Sequence, residues 1–194
     1  QMTNLVKTFI PVARISDMLL NPGQSYRYNG QTLSYPDIKL VYWAGGNPFH
    51  HHQDLTRLCQ AWQKPQTIIA HDWCWNTLTK YADVVLPCTT QLERQDLMIT
   101  PRDPYLIAMQ QVIEPVGAAR DDYDILRGIS KKLGCDALFS EGRDAEAWQR
   151  WLYEESATQA KGSGVELPSY EAFLAKGWHR VPPDVSDRRS HAQR

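Results

Sequence analysis

Between Ile38 and Pro87, short apolar runs rich in β-branched residues alternate with longer stretches of mixed polarity. Ile38-Lys39-Leu40-Val41-Tyr42-Trp43 has the length and composition of a buried strand, and it runs straight into Ala44-Gly45-Gly46-Asn47-Pro48, which demands a loop. From His52 to Trp62 the residues Leu55, Leu58, Cys59 and Trp62 recur at three- and four-residue spacing, predicting an amphipathic helix that stops before Lys64-Pro65. Thr67-Ile68-Ile69-Ala70 reads as a second buried strand ending at His71-Asp72, Asn76 to Tyr81 as a short helix, and Asp83 to Pro87 as a third strand closed by its proline. Strand, helix, strand, helix, strand is the succession that builds a parallel sheet with right-handed crossovers. Such sheets hold ligands beyond the carboxyl ends of their strands, so the loops at Gly45–His52, His71–Trp75 and Cys88–Asp96 are expected to converge on one edge.

Beyond this unit, Tyr105 to Met109 predicts another strand. Asp122 to Leu133 predicts a helix, with Asp at its start and Gly134 just past its end. Helices are also expected over Asp144–Tyr153 and Ser169–Ala175, with Lys161-Gly162-Ser163-Gly164 as a linker. From Trp178 to Arg194 two prolines and many charges appear without a period, and this tail is expected to be poorly ordered.

Composition narrows the function classes. The chain has 194 residues with 42% hydrophobic positions, enough for a core. Lys and Arg total 21 against 22 Asp and Glu, so no global field draws it onto nucleic acid or an acidic membrane, and any anion must be gripped locally. No stretch reaches the ~20 apolar residues of a membrane span, and QMTNLVKTF lacks the pattern of a signal peptide. The first residue is Gln rather than Met, and the chain is read as a piece of a longer protein. Cys59, Cys74, Cys88 and Cys135 are widely spaced and form no C-x-x-C pair, so neither a zinc ribbon nor an iron–sulfur run is written here.

The candidate chemistry sits at the predicted strand ends. His50, His51 and His52 invite a metal, but adjacent helical residues point about 100° apart, so at most two could share one ligand. A histidine that hydrogen-bonds a ligand or the loop itself is the other reading. Gly45-Gly46 lets backbone approach a bound group, or simply makes a tight turn. Asp72 stands where dinucleotide-binding sheets place an acid for a ribose or base edge, with a cap on the next helix as the lesser alternative. Arg94 can offer its planar fork to a phosphate or carboxylate, or stand solvated on the surface. Trp73 and Trp75 read as core or as ligand-stacking surface, and Asp124 first as a residue that favours its helix dipole.

Five segments carry a family resemblance: KTFIPVARISDMLLNPG, YNGQTLSYPDIKLVYWAGGNPFHHHQDLTRL, YADVVLPCTTQLERQD, LIAMQQVIEPVGAARDDYDIL and the helix that follows. In that order, from about Lys7 to Leu133 and more weakly to Trp178, they resemble a central part of the molybdopterin oxidoreductases of the dimethyl-sulfoxide reductase family. The closing RVPPDVSDRRSHAQR does not resemble it.

That resemblance implies an α/β fold whose Rossmann-like parallel sheet, flanked by helices and incomplete at both ends, occupies residues 38–160. Residues 1–37 would be a lead-in, and residues 161–194 a linker, short helix and disordered tail. It implies the cofactor bis(molybdopterin guanine dinucleotide) molybdenum, with one dinucleotide seated by Asn47 and His51 after the first strand, His71 and Asp72 after the second, Arg94 after the third, and Asp124. For His71 only the backbone is expected to matter. Asn47 and His51 would bond the dinucleotide, Asp72 and Asp124 would accept from guanine N–H groups or ribose hydroxyls, and Arg94 would answer a phosphate. The activity implied for the parent protein is reduction of S-oxides or N-oxides, of the biotin sulfoxide, methionine sulfoxide or trimethylamine-N-oxide type. Its partners would be the remaining domains of that protein and an electron donor, with the compartment open between cytoplasm and periplasm. No residue here matches the family's molybdenum-ligating side chain, so no catalytic or metal-ligating residue is assigned and the piece alone is expected to be inactive. A free-standing guanine-nucleotide module and a non-catalytic fragment are the rival readings.

Overall fold

A computed structural model describes residues 9–100 and 103–182. The chain divides after Pro87 into two compact units.

In the first unit a 3-10 turn at Val12–Arg14 leads into α1 (Ile15–Leu20), followed by a hairpin of β1 (Ser25–Tyr28) and β2 (Gln31–Ser34). Asn29-Gly30 makes its turn, both residues at positive φ, which is the backbone that a two-residue hairpin loop requires. Next come β3 (Leu40–Trp43), α2 (Pro48–His51), α3 (Leu55–Trp62), β4 (Thr67–Asp72), α4 (Thr77–Lys80) and β5 (Val84–Pro87). The strands β3, β4 and β5 form a parallel sheet in chain order, with Trp43 opposite Ala70 and Asp72 opposite Pro87. The α/β expectation therefore holds, with a parallel three-stranded sheet flanked by helices.

The α3 helix buries Leu58, Ala61 and Trp62 at the i, i+3, i+4 spacing of one face. They join Leu19 of α1, Phe49 of α2, Ile68 and Ala70 of β4 and Leu78 of α4 in one core. Phe49 and Trp43 meet Trp62 edge to face, each with centroids 5.6 Å apart. The helix predicted from His52 begins at Leu55, and a separate short helix, α2, precedes it. Asp54 caps α3 by accepting from Arg57 N at 3.0 Å, while Pro48 starts α2 within the stretch expected to be loop.

The second unit holds β6 (Asp96–Met98), β7 (Tyr105–Met109), α5 (Asp122–Lys132), α6 (Asp136–Ser140), α7 (Ala145–Gly162), α8 (Tyr170–Lys176) and β8 (Trp178–Arg180). Its strands are antiparallel in the order β6-β7-β8, so Tyr105–Met109 is a strand as predicted but belongs to a second, antiparallel sheet. Tyr153, Tyr170, Phe173 and Ala108 make its buried core. Two expectations give way. Helix α7 continues through Lys161 and Gly162, so the linker shrinks to the residues after it. Trp178–Arg180 pairs with Tyr105–Ile107, so the start of the aperiodic tail is a strand. The reason for this strand is pairing that lies about seventy residues away in sequence, which no local period records. The remainder of the tail, residues 183–194, lies outside the described residues.

Candidate cofactor-binding loops

In the first unit the chain leaves β3 through Gly45 at φ +82° and Gly46 at φ +69°. Two consecutive residues in the left-handed region restrict both positions to glycine in practice. The indole N–H of Trp43 fixes the turn, donating to the carbonyls of Gly45 at 2.9 Å and Gly46 at 3.2 Å. Asn47 then caps α2, its Oδ1 accepting from Phe49 N at 3.0 Å. Asn47 is only 8% exposed, and its Nδ2 is buried without a hydrogen-bond partner. An amide that gives its acceptor to the fold and keeps its donors unanswered is the strongest polar anomaly at this edge, because an unpaired buried donor costs about 1–3 kcal/mol.

His51 ends α2 with its ring packed over Gly46, Nε2 lying 3.7 Å from where a Cβ on that glycine would stand. His50 and His51 are exposed, whereas His52 is half-buried with Nε2 lacking a partner. The sequence reading passed over His52. Nothing in a run of three histidines says which one the chain will turn inward.

The second strand is longer than expected and takes in His71 and Asp72. His71 is 3% exposed, and its Nε2 lies 2.6 Å from the hydroxyl of Tyr42 on the neighbouring strand. Its side chain is therefore committed inside the sheet, and a ligand would meet only its backbone. Asp72 is not a helix cap. Asn76 caps α4 in a reciprocal box with Thr79, whose hydroxyl accepts from Asn76 N at 2.8 Å. The Asp72 carboxylate instead folds the loop around itself, with Oδ1 accepting from Trp73 N at 2.9 Å and Oδ2 from Asn76 Nδ2 at 2.6 Å. This loop holds Trp73 and Trp75 out in solvent, 67% and 76% exposed, so the core reading of these two indoles fails.

In the second unit, the chain after Cys88 turns on Glu93. Its buried carboxylate accepts from Thr90 N at 2.7 Å, Thr90 Oγ1 at 2.8 Å and Val116 N at 2.7 Å. The backbone donors of Thr90 and Val116, then the Thr90 hydroxyl, hold its pKa below the ordinary carboxylate value. Arg94 donates through Nη1 to the Thr89 carbonyl at 2.8 Å and through Nε to Asp96 at 3.2 Å, so it is half-buried and paired rather than solvated. Thr89 in turn donates to Asp121 at 2.6 Å, at the start of α5. Asp124 is exposed in the first turn of that helix, where a carboxylate favours the helix dipole. Arg94, Asp121 and Asp124 line one cleft of about 510 Å³, together with Glu93, Glu114 and Glu146.

The six expected residues thus fall into three groups: Asn47 with His51, His71 with Asp72, and Arg94 with Asp124. The first two sit at the carboxyl ends of adjacent paired strands, and the third surrounds a cleft of the second unit. Among the described residues no three His, Cys, Asp or Glu side chains are grouped so as to hold a metal ion, and no helix is long and apolar enough to cross a membrane.

A family model described as molybdopterin oxidoreductase matches residues 11–132. This chain belongs to that family. Biotin sulfoxide reductase of Cereibacter sphaeroides is 53% identical over 183 residues, covering 94% of this chain and 25% of that protein. Dimethyl sulfoxide/trimethylamine N-oxide reductase of Rhodobacter capsulatus is 44% identical across 89% of this chain, and trimethylamine-N-oxide reductase of Salmonella typhi 40% identical across 84%. The chain spans a quarter or less of the length of these relatives. Among solved structures, acetylene hydratase from Pelobacter acetylenicus superposes with a TM-score of 0.56 at 18% identity, over 76% of this chain and 19% of that one. That likeness concerns the fold alone. Membership in the molybdopterin oxidoreductases implies a molybdenum–molybdopterin cofactor.

Proposed function

We propose that this chain is the part of a molybdenum-dependent S-oxide or N-oxide reductase that seats one guanine dinucleotide of a bis(molybdopterin guanine dinucleotide) cofactor. The observation that carries the reading is the buried, unpartnered Nδ2 of Asn47, on a two-glycine loop at the carboxyl end of a parallel strand. Such an edge is where Rossmann-like sheets hold nucleotides, and a missing acceptor is what a phosphate or sugar oxygen would supply. Asn47 donates to it, and His51, packed over Gly46, offers a ring nitrogen beside it. The exposed part of Asp72 accepts from a base or ribose donor, and the backbone of His71 flanks it.

Around the second unit's cleft, Arg94 already serves Thr89 and Asp96, leaving Nη2 for a phosphate oxygen. Asp124 accepts from a ligand N–H or hydroxyl. Five of the cleft's lining residues are acids, Glu93, Glu114, Asp121, Asp124 and Glu146, against Arg94 and Arg120. This excess suits the donor-rich edge of guanine better than a bare phosphate.

When bound, the molybdenum centre supplies two-electron removal of oxygen from the substrate, which with two protons leaves the reduced product and water. The residues of this chain position the cofactor and take no part in that bond breaking. Reduction, its substrate and the electron donor belong to the whole protein, which we take to act on substrates of the biotin sulfoxide or trimethylamine-N-oxide kind because the relatives carry those names.

The test is a calorimetric titration of the chain with GMP. Wild type binds, and Asn47→Ser and Asp72→Ala each weaken binding about tenfold, the worth of one charge-assisted hydrogen bond. Absence of binding by wild type would defeat the reading.

A further inference from the structure

Away from those loops, the first unit carries a polar cleft of about 500 Å³, lined by Arg14, Arg27, Arg57, Asp17 and Tyr35 with several neutral polar residues. Four elements build it. Arg14 closes the 3-10 turn, Asp17 lies on α1, Arg27 on β1, and Arg57 comes from α3, forty positions along the chain from Asp17. Asp17 receives both inner guanidiniums, one on each oxygen, from Arg14 at 3.0 Å and Arg57 at 2.6 Å. The two arginines hold the Asp17 carboxyl below its usual range, and the side chain of Asp17 in turn raises Arg14.

Tyr35 is 4% exposed and stacks on Tyr26 with ring centroids 4.4 Å apart, giving the cleft a fixed aromatic wall. Three guanidiniums against one carboxylate leave an excess of two positive charges. An arginine carries five donors, and the bonds to Asp17 use one each from Arg14 and Arg57. Arg27 is exposed, and its guanidinium makes no hydrogen bond or ion pair among the described residues.

We propose that Arg14, Arg27 and Arg57 form an oxyanion site that takes a phosphate group, independent of the nucleotide edge. A dianionic phosphate balances the excess charge. Its three or four acceptor oxygens match the planar forks that Asp17 and the packing of α1 against α3 hold in place. The cleft exceeds the size of one phosphate, so the group is carried on a larger body, as a phosphate monoester. Asp17 is then both scaffold and competitor: it orients two arginines and neutralises part of their charge.

The experiment titrates the 194-residue chain with inorganic phosphate and, in a second arm, with ribose 5-phosphate, against chloride at matched ionic strength, following chemical shifts of the arginine side chains. Saturable binding is expected in both arms, tighter for the ester. Arg27→Gln, which breaks no side-chain hydrogen bond or ion pair among the described residues, weakens it about tenfold. Asp17→Asn frees two guanidiniums and tightens it several-fold, the opposite of what loss of a purely structural ion pair does. Arg150→Gln, whose arginine is held by Glu171 in the other unit, leaves it unchanged. The proposal is overturned if phosphate binds no better than chloride, if Arg27→Gln binds like wild type, or if Asp17→Asn fails to tighten binding.

Discussion

The two units treat the polar groups of their candidate loops differently. In the first, Asn47 Nδ2, His52 Nε2 and Trp62 Nε1 are buried without partners, and two of the three border the two-glycine loop. In the second, His179 Nε2 is also buried without a partner, but the polar groups at the start of the cleft answer one another: Glu93 takes three donors, Arg94 donates to Thr89 and Asp96, and Thr89 bridges to Asp121. A paired network sets the shape of its own walls, whereas an unpaired donor at a loop edge has its acceptor elsewhere. The first arrangement suits a site completed by a ligand, and the second a wall that stays formed without one.

The cores differ as well, and their substitutions give the largest effects. Leu58 and Phe173 are almost wholly enclosed, one amid aliphatic and tryptophan side chains, the other stacked on Tyr153 at 4.8 Å. Phe173→Ala is expected to cost about 3–5 kcal/mol and Leu58→Ala about 2–5 kcal/mol, read from urea denaturation. A loss below about 1 kcal/mol at either position would mean that the corresponding core is not packed as described.

A smaller effect separates the two kinds of polar wall by pH. Glu93 has a folded-state pKa below its ordinary value of 4.5, so its contribution to stability is complete above that value and is lost as pH falls through the folded pKa. Glu93→Gln should lower the urea midpoint at pH 7 and converge on wild type in acid. Parallel curves from pH 7 to pH 3 would remove Glu93 as the pin of the turn.

The smallest expected change is the most telling about the loop. Asn47→Ser keeps an acceptor for Phe49 N and deletes the orphaned donor, so stability should stay within about 0.5 kcal/mol of wild type or rise. Destabilisation by 2 kcal/mol or more would show that the amide donor is satisfied within the chain, and the contrast between the units would collapse.

Much of the first unit was legible because its signals are local. The three parallel strands, the spacing of Leu58 and Trp62, and the glycine pair after Trp43 can each be read within a dozen residues. The second unit was less so. Its β6 strand is three residues long, β8 closes a sheet with a strand some seventy positions earlier, and α7 outruns the point where Gly162 and Gly164 suggest a linker. The candidate residues show the same divide. Their placement at strand ends followed from the pattern, but their partners did not: Tyr42 for His71, Asn76 for Asp72, Thr89 and Asp96 for Arg94.

The sequence by itself determined the order of strands and helices in the parallel sheet, the need for glycine at Gly45 and Gly46, and, through its succession of motifs, membership in the molybdopterin oxidoreductases. Periodicity and backbone preference are properties of neighbouring residues, so they are written along the chain. Only the tertiary structure decided that His52 rather than His50 turns inward, that Asp72 organises its loop instead of capping a helix, and that Arg14 and Arg57, from separate helical segments, share the carboxylate of Asp17. Those outcomes depend on which side chains meet across elements, and burial and hydrogen-bond satisfaction are settled only there.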